Sequence, residues 1–353
     1  MVGCRHGHGD LPVTSEAPPG LDLERLARWL SDTLPSADGG LTATLIAGGK
    51  SNLTYVVADG DREWIVRRPP MGHVLPTAHD MAREYRVMSA LKDTPVPVPR
   101  TYALCQDDSV IGAPFYVMER CAGTPYRRAV ELAEHGRERT RTIATQLVDI
   151  LAALHQVEPG EVGLDDFGKP AGFLTRQVHR WKKQLDASHH RDLPAVDELY
   201  ARLAADVPPD SGTAVVHGDY RLDNVLVSSD DRATAVLDWE MATLGDPLTD
   251  LALMLVYHRL GEVLSGDGFS DAASAPGFLT EDEIIMRYAD GSDRDLSRFG
   301  FYLGLATFKL AAILEGIHFR HLHGQTVGEG FDTIGDAIHP LLEGGLTAMK
   351  EYH

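Results

Sequence analysis

Cysteine is scarce in this chain of 353 residues. There are three, Cys4, Cys105 and Cys121, scattered and in no metal-ligand spacing. That excludes a disulfide framework and a cysteine-built zinc site, and it suits a reducing compartment. Positive charge is short as well: 33 Lys and Arg stand against 52 Asp and Glu, a net charge of −19. The basic footprint of a nucleic-acid binder is missing. No apolar run of the length a membrane span requires stands out. The opening MVGCRHGHGDLPVTSEAPPG lacks the apolar core of a signal peptide. These absences lead to the expectation of a cytoplasmic protein with neither a nucleic-acid nor a membrane partner. Oligomeric state leaves no mark on the sequence.

What is present is ordinary for a globular chain: 43% hydrophobic and 24% charged residues, and enough length for two cores. The acidic balance reads first as a solubility feature and only second as attraction for a cationic substrate. Residues 1–20, rich in Gly, Pro and His, read as a flexible tail. From Leu21 the apolar spacing predicts a helix, LDLERLARWLSDTL. Runs at Thr42–Ile46, Leu53–Ala58 and Trp64–Arg67, joined by Gly- and Asp-rich turns, predict an antiparallel meander. A helix over Thr77–Leu91 and a strand at Phe115–Glu119 follow, and Ala122-Gly123-Thr124-Pro125 reads as a hinge. Beyond it the pattern turns helical at Arg137–His155, Phe173–Ala187, Asp197–Leu203, Leu248–Leu260, Glu281–Ala289 and Leu296–His323. The expected organisation is an N-terminal lobe over 21–120 and a larger, mainly helical lobe over 121–353.

The richest stretch is VVHGDYRLDNVLVSSDDRATAVLDWE, Val215–Glu240. An apolar run leads into His217-Gly218-Asp219, Asn224 follows five residues after the Asp, and a second apolar run ends at Asp238. One carboxylate, one amide and a second carboxylate at the ends of short strands are what phosphoryl transfer from a nucleotide needs. Asp219 is the candidate base for an acceptor hydroxyl, and Asn224 and Asp238 are hard oxygen ligands of the kind magnesium takes. The protein-kinase signature places an Asp and an Asn at the same spacing, followed by a metal-binding Asp. Arg221, two residues past Asp219, is placed to neutralise the transferring phosphoryl group.

Upstream, Gly48-Gly49-Lys50-Ser51-Asn52 lies between two predicted strands, where a phosphate-covering loop belongs. Gly49, Ser51 and Asn52 are its candidate nucleotide contacts. Arg67, on the next strand, takes the phosphate-touching role of the usual Lys, with Glu84 on the following helix as its ion-pair partner. Arg at this position departs from the kinase pattern, but its charged fork suits phosphate, so phosphate binding need not be lost.

These motifs resemble the aminoglycoside phosphotransferase and choline kinase family, which has a protein-kinase-like fold. The marks are the HGD-x-x-x-x-N loop, Asp238-Trp239-Glu240, and Gly245-Asp246-Pro247-Leu248-Thr249-Asp250-Leu251-Ala252. Within the family, GGKSNLTYVV, RRPPMGHVLPTAHDMAREYRVMSAL, GAPFYVMER and FKLAAILEGIHFRHLHGQT are similar to the branch that includes the kinase domain fused to acyl-CoA dehydrogenases. The resemblance covers about Leu21 to Lys350.

It implies an α+β bilobal fold, with a small antiparallel β-sheet lobe that binds nucleotide and a helical lobe for catalysis and substrate. It makes Asp219 catalytic, gives Asn224 and Asp238 to Mg2+, and pairs Arg67 with Glu84. Met118 is implied at the back of the nucleotide pocket, with Glu119, Arg120 and Cys121 as the backbone hinge beside adenine. Asp246 and Asp250 are implied as buttresses of the catalytic loop.

The expected reaction carries a phosphoryl group from ATP or GTP to a small-molecule hydroxyl, possible acceptors being a hydroxyacyl compound or its CoA thioester. An aminoglycoside or amino-alcohol is the alternative acceptor, and a catalytically silent nucleotide-binding regulator the alternative class. Acceptor-side candidates are Tyr220, Asp223, Trp239, Tyr257, His258, Lys309, Glu315, His318 and Arg320. The mixed charges of FKLAAILEGIHFRHLHG suit an anionic or apolar acceptor better than a polycation.

Overall fold

The computed structural model describes residues 18–34, 40–46, 52–60, 62–72, 79–188, 191–263, 270–325 and 333–351. Most of the expected tail, and Gly49 and Ser51 of the glycine turn, lie outside the described residues. The chain divides into two units, Met1–Ser89 with Pro99–Arg120, and Ala90–Val98 with Cys121–His353.

The first unit runs α1 (Leu23–Thr33), β1 (Thr42–Leu45), β2 (Leu53–Asp59), β3 (Arg62–Arg68), α2 (Met81–Leu91), β4 (Thr101–Cys105) and β5 (Phe115–Glu119), with Ala90 and Leu91 at the end of α2 belonging to the second unit. Its sheet is antiparallel in the order β1-β2-β3-β5-β4. Asp22 starts α1 by accepting the Arg25 N–H at 3.0 Å. Leu26 and Leu30, one turn apart and so on one face, are fully buried. They join Tyr55, Val57, Val66, Phe115 and Val117, inward residues of β2, β3 and β5, in one core. The β2–β3 turn passes through Gly60 at φ +60°, a conformation glycine adopts without strain.

The second unit continues with β6 (Thr124–Pro125), α3 (Ala129–Ala133), α4 (Arg137–Gln156), α5 (Phe173–Ser188), α6 (Pro194–Ala205), β7 (Ala214–Val216), β8 (Val225–Val227), β9 (Ala233–Val236) and β10 (Thr243–Gly245). It closes with α7 (Leu248–Val263), α8 (Glu281–Asp290), α9 (Phe299–Leu322) and α10 (Ile334–Glu351). The strands form two small sheets, β7 with β10 and β6-β8-β9. The Thr124-Pro125 stretch, expected as a hinge, pairs with Val227 and Leu226 as an edge strand. Ala90–Val98 is tied in by the Val236 N–H, which donates to the Pro97 carbonyl at 2.8 Å.

Helix α9 corrects one expectation. Its 24 residues are long and apolar enough to cross a membrane, yet 83% of the qualifying stretch is buried. It packs against α5, α6, α7 and α10, so its all-round apolarity is that of a core helix. The architecture is α+β, a small antiparallel sheet unit followed by a larger, mainly helical one.

Candidate active site

In the first unit the structure separates two neighbouring arginines. Arg67 Nε lies 3.3 Å from Glu84 Oε2, with the two side chains 12% and 1% exposed. Arg68 points the other way and donates to the carbonyls of Gly20, Ile111 and Pro69. Alternation along β3 decides this, since adjacent residues take opposite faces. Glu84 also accepts from Asn52 Nδ2 at 3.0 Å and from the Tyr116 hydroxyl at 2.9 Å. The pair is therefore a buried, hydrogen-bonded cluster and not a surface salt bridge. Met118 is buried in β5, Glu119 is exposed and accepts the Arg100 N–H, and Arg120 pairs with Glu63.

In the second unit, β7 delivers the chain into His217-Gly218-Asp219. His217 is a neutral tautomer: Nε2–H donates to the Leu237 carbonyl at 2.9 Å, and Nδ1 accepts the Asp219 N–H at 3.2 Å. Gly218 sits at φ +85°, and a Cβ there would lie 2.8 Å from the Met241 carbonyl oxygen and Cβ. Both carboxylate oxygens of Asp219 accept hydrogen bonds, Oδ1 from the Tyr257 hydroxyl at 2.6 Å and Oδ2 from Asn224 Nδ2 at 3.2 Å. The same Asn224 amide donates to the Asp219 carbonyl at 2.9 Å.

Arg221 places Nη2 2.9 Å from Asp223 Oδ2 and Nε 3.7 Å from Asp219 Oδ2, and its guanidinium lies 4.9 Å from the Tyr257 ring centre. Its charge is thus shared by two carboxylates, where the sequence suggested a phosphoryl contact. Burial holds the Asp223 carboxyl above the usual range, with Arg221 pulling it back.

Asp238 follows β9 in the left-handed region, φ 65° and ψ 60°. It and Asp219 come from different sheets, and the backbone at Leu237 links them. That residue's carbonyl accepts from His217, and its N–H donates to the Asn224 carbonyl at 2.8 Å. The donor set suits magnesium. The Asn224 amide nitrogen is committed to Asp219, which leaves a carbonyl oxygen as the ligand atom, and Asp238 adds a carboxylate. Among the described residues no group of three or more His, Cys, Asp or Glu could hold a metal ion by itself. A site of this kind takes its remaining oxygens from phosphate and water.

The loop is held from behind. Asp250, buried on α7, accepts the His217 N–H at 2.6 Å and the Gly218 N–H at 2.8 Å, with His155 Nε2 at 3.4 Å. Burial alone would raise its pKa, but His155 and the backbone donors hold it below the usual value. Asp246 instead anchors the start of α7, accepting from Ser211, Leu248 N–H and the Tyr302 hydroxyl. Lys309, on α9, donates to the Gly218 carbonyl at 2.7 Å.

Three of the acceptor-side candidates have structural partners of their own. Tyr220 and Trp239 are fully buried, their polar atoms donating to the Leu147 and Val236 carbonyls. Glu315 is paired with Arg191 at 2.9 Å. Nothing in the sequence pointed to His155, Arg180 or Trp181, which sit on helices whose periodicity reports burial but not chemistry.

Residues 42–281 match the family model described as the phosphotransferase enzyme family. This chain belongs to that family. Membership makes it an enzyme, a phosphotransferase acting on hydroxyl groups. It is 36% identical over 343 residues to acyl-CoA dehydrogenase family member 11 of Gallus gallus, covering 93% of this chain but 44% of that relative. It thus spans less than half of that relative's length. A solved Ralstonia eutropha structure, assigned by name to the aminoglycoside phosphotransferases, is 32% identical with TM-score 0.81, covering 94% of this chain and 99% of that one. A thermostable aminoglycoside phosphotransferase mutant, in ternary complex with AMP-PNP and hygromycin B, shares the fold at 14% identity and TM-score 0.60, covering 92% of this chain and 98% of that one. The protein-kinase-like fold expected from the motifs is the fold found.

Proposed function

We propose that this enzyme transfers the γ-phosphoryl group of ATP or GTP to a hydroxyl of a hydroxyacyl compound, the free acid or its CoA thioester. The observation that carries this is the setting of Asp219. Its carboxylate is fixed by Tyr257 and Asn224 at the tip of a loop whose backbone is pinned by Asp250 and Lys309. A base held that firmly orients an acceptor hydroxyl for in-line attack. The acceptor oxygen bonds to the γ-phosphorus, the bond to the β–γ bridging oxygen breaks, and the hydroxyl proton passes to Asp219.

Asn224 and Asp238 would hold magnesium, which neutralises phosphate charge. Arg67, oriented by Glu84, is assigned to the α/β-phosphates. Asn52, Met118, Glu119, Arg120 and Cys121 are assigned to the rest of the nucleotide, and Gly49 and Ser51 to its covering loop. Arg221 is assigned to positioning Asp219. The AMP-PNP complex of a fold relative supports an adenine nucleotide as donor. The relatives whose names join them to acyl-CoA dehydrogenases support an acyl-type acceptor. The acidic, reducing-compartment composition fits the cytoplasm.

The test is Asp219→Asn. Phosphoryl transfer should fall by several orders of magnitude while Mg-nucleotide binding, measured by calorimetry, persists. Nucleotide binding with no turnover in the unmodified protein, and no change on substitution, would instead establish a silent regulator.

A further inference from the structure

Next to the pinned loop the second unit holds a cavity of about 60 Å3, room for roughly four waters. Most of its wall is apolar, from Phe173, Val216, Leu253 and Leu305 among others. Its charged contributors are Arg180, Lys309 and Asp250. The single carboxylate is already engaged with two backbone N–H groups and His155. The two cations flank one indole: Arg180 Cζ lies 5.2 Å and Lys309 Nζ 5.5 Å from the Trp181 ring centre. Neither makes an ion pair within 4.0 Å among the described residues. One N–H of Lys309 goes to the Gly218 carbonyl, and Arg180 is exposed. In a chain of net charge −19 this is a pocket with two cations and no uncommitted anion.

Such a pocket repels the ammonium groups of an aminoglycoside or amino-alcohol and attracts an anion. Burial lowers the Lys309 pKa, with Asp219 and Asp250 opposing it, so an incoming anion would also stabilise the lysine's charged form.

We infer that this cavity is a carboxylate subsite, in which Lys309 and Arg180 hold the free carboxylate of a short hydroxy acid against Trp181. Lys309 reaches the carbonyl of the residue before Asp219, so a carboxylate there places a hydroxyl a few carbons away beside the base. Binding of the carboxylate stands on the cavity alone, while the fate of the hydroxyl rests on the phosphotransferase reading.

The experiment measures binding of lactate, β-hydroxybutyrate and δ-hydroxyvalerate by Trp fluorescence and calorimetry. Their methyl esters, β-hydroxybutyryl-CoA and choline serve as comparisons, with Trp181→Phe to assign the signal. Phosphorylation of each is followed in parallel by mass spectrometry. At least one hydroxy acid should bind about tenfold or more tightly than its ester. Arg180→Gln, a surface change, should erase that preference while leaving melting temperature and Mg-nucleotide affinity unchanged. Lys309→Met should erase it too. Equal binding of acid and ester, binding of the thioester or choline only, or an Arg180→Gln variant with its preference intact would each overturn the subsite. Acid-selective binding without phosphorylation would keep the subsite and overturn the proposed reaction.

Discussion

Tyr257 donates its phenolic hydrogen to Oδ1 of Asp219 at 2.6 Å. Burial, reinforced by the charge of Asp219, pushes this phenol well above its ordinary pKa, so it stays a donor throughout the working range. Tyr257→Phe should therefore lower turnover by roughly tenfold and cost about 1.5–3 kcal/mol of stability, the range for a hydrogen bond to a charged group. Steady-state kinetics beside thermal denaturation checks this. Unchanged turnover with lowered stability would make the bond purely structural.

The Arg67–Glu84 pair gives a second expectation. Arg67→Met leaves Glu84 with a buried charge short of its cation, so stability should fall by about 3 kcal/mol and Mg-nucleotide affinity with it. Arg67→Lys keeps the charge but not the fork and should retain most of both. Urea denaturation and calorimetric titration compare the two.

Acid should act on the fold in two separable windows. Burial lowers His258 to a pKa of about 4 from an ordinary 6.5. Below 6.5 the unfolded chain takes up a proton that the folded chain refuses. Stability therefore falls as pH drops from 6.5 towards 4, by no more than about 3 kcal/mol. Asp250 is depressed instead, so its contribution is complete above its unfolded value near 3.8 and is lost only as pH falls through the lower folded value. Denaturation from pH 7 to 4 should flatten in His258→Gln. Asp250→Asn should lower stability at every pH above 4.

Gly218→Ala places a methyl 2.8 Å from both the Cβ and the carbonyl oxygen of Met241 at φ +85°. Turnover should drop sharply, with about 1–3 kcal/mol of destabilisation. Adding Met241→Gly relieves the side-chain clash but not the carbonyl clash, so rescue should be partial. Full rescue would show the backbone moves freely there.

The helices and the meander were legible because each buries one face, and burial writes a period into the sequence. Strand β4 and helix α10 were not read. Thr101–Cys105 follows a proline run, and α10 carries Pro340 inside it. Asp219, Asn224 and Asp238 were legible because local spacing sets them. Lys309 and Tyr257 emerged only as acceptor-side candidates, since their relation to the loop spans 91 and 38 residues of chain. Arg180 and Trp181 carried no signal, because the helical period reports that Trp181 is buried but not which cavity it lines.

The bond from Lys309 to the Gly218 carbonyl has a bearing on how this enzyme could diversify. The lysine that would select the acceptor also fixes the loop that reacts with it, so exchanging residue 309 alters preference and rate together. Arg180 lies at the surface beside the Trp181 ring and holds no part of the loop's backbone, which leaves it open to variation at little cost to the fold. New acceptor preferences in descendants of this chain should therefore arise first at position 180 and reach position 309 last.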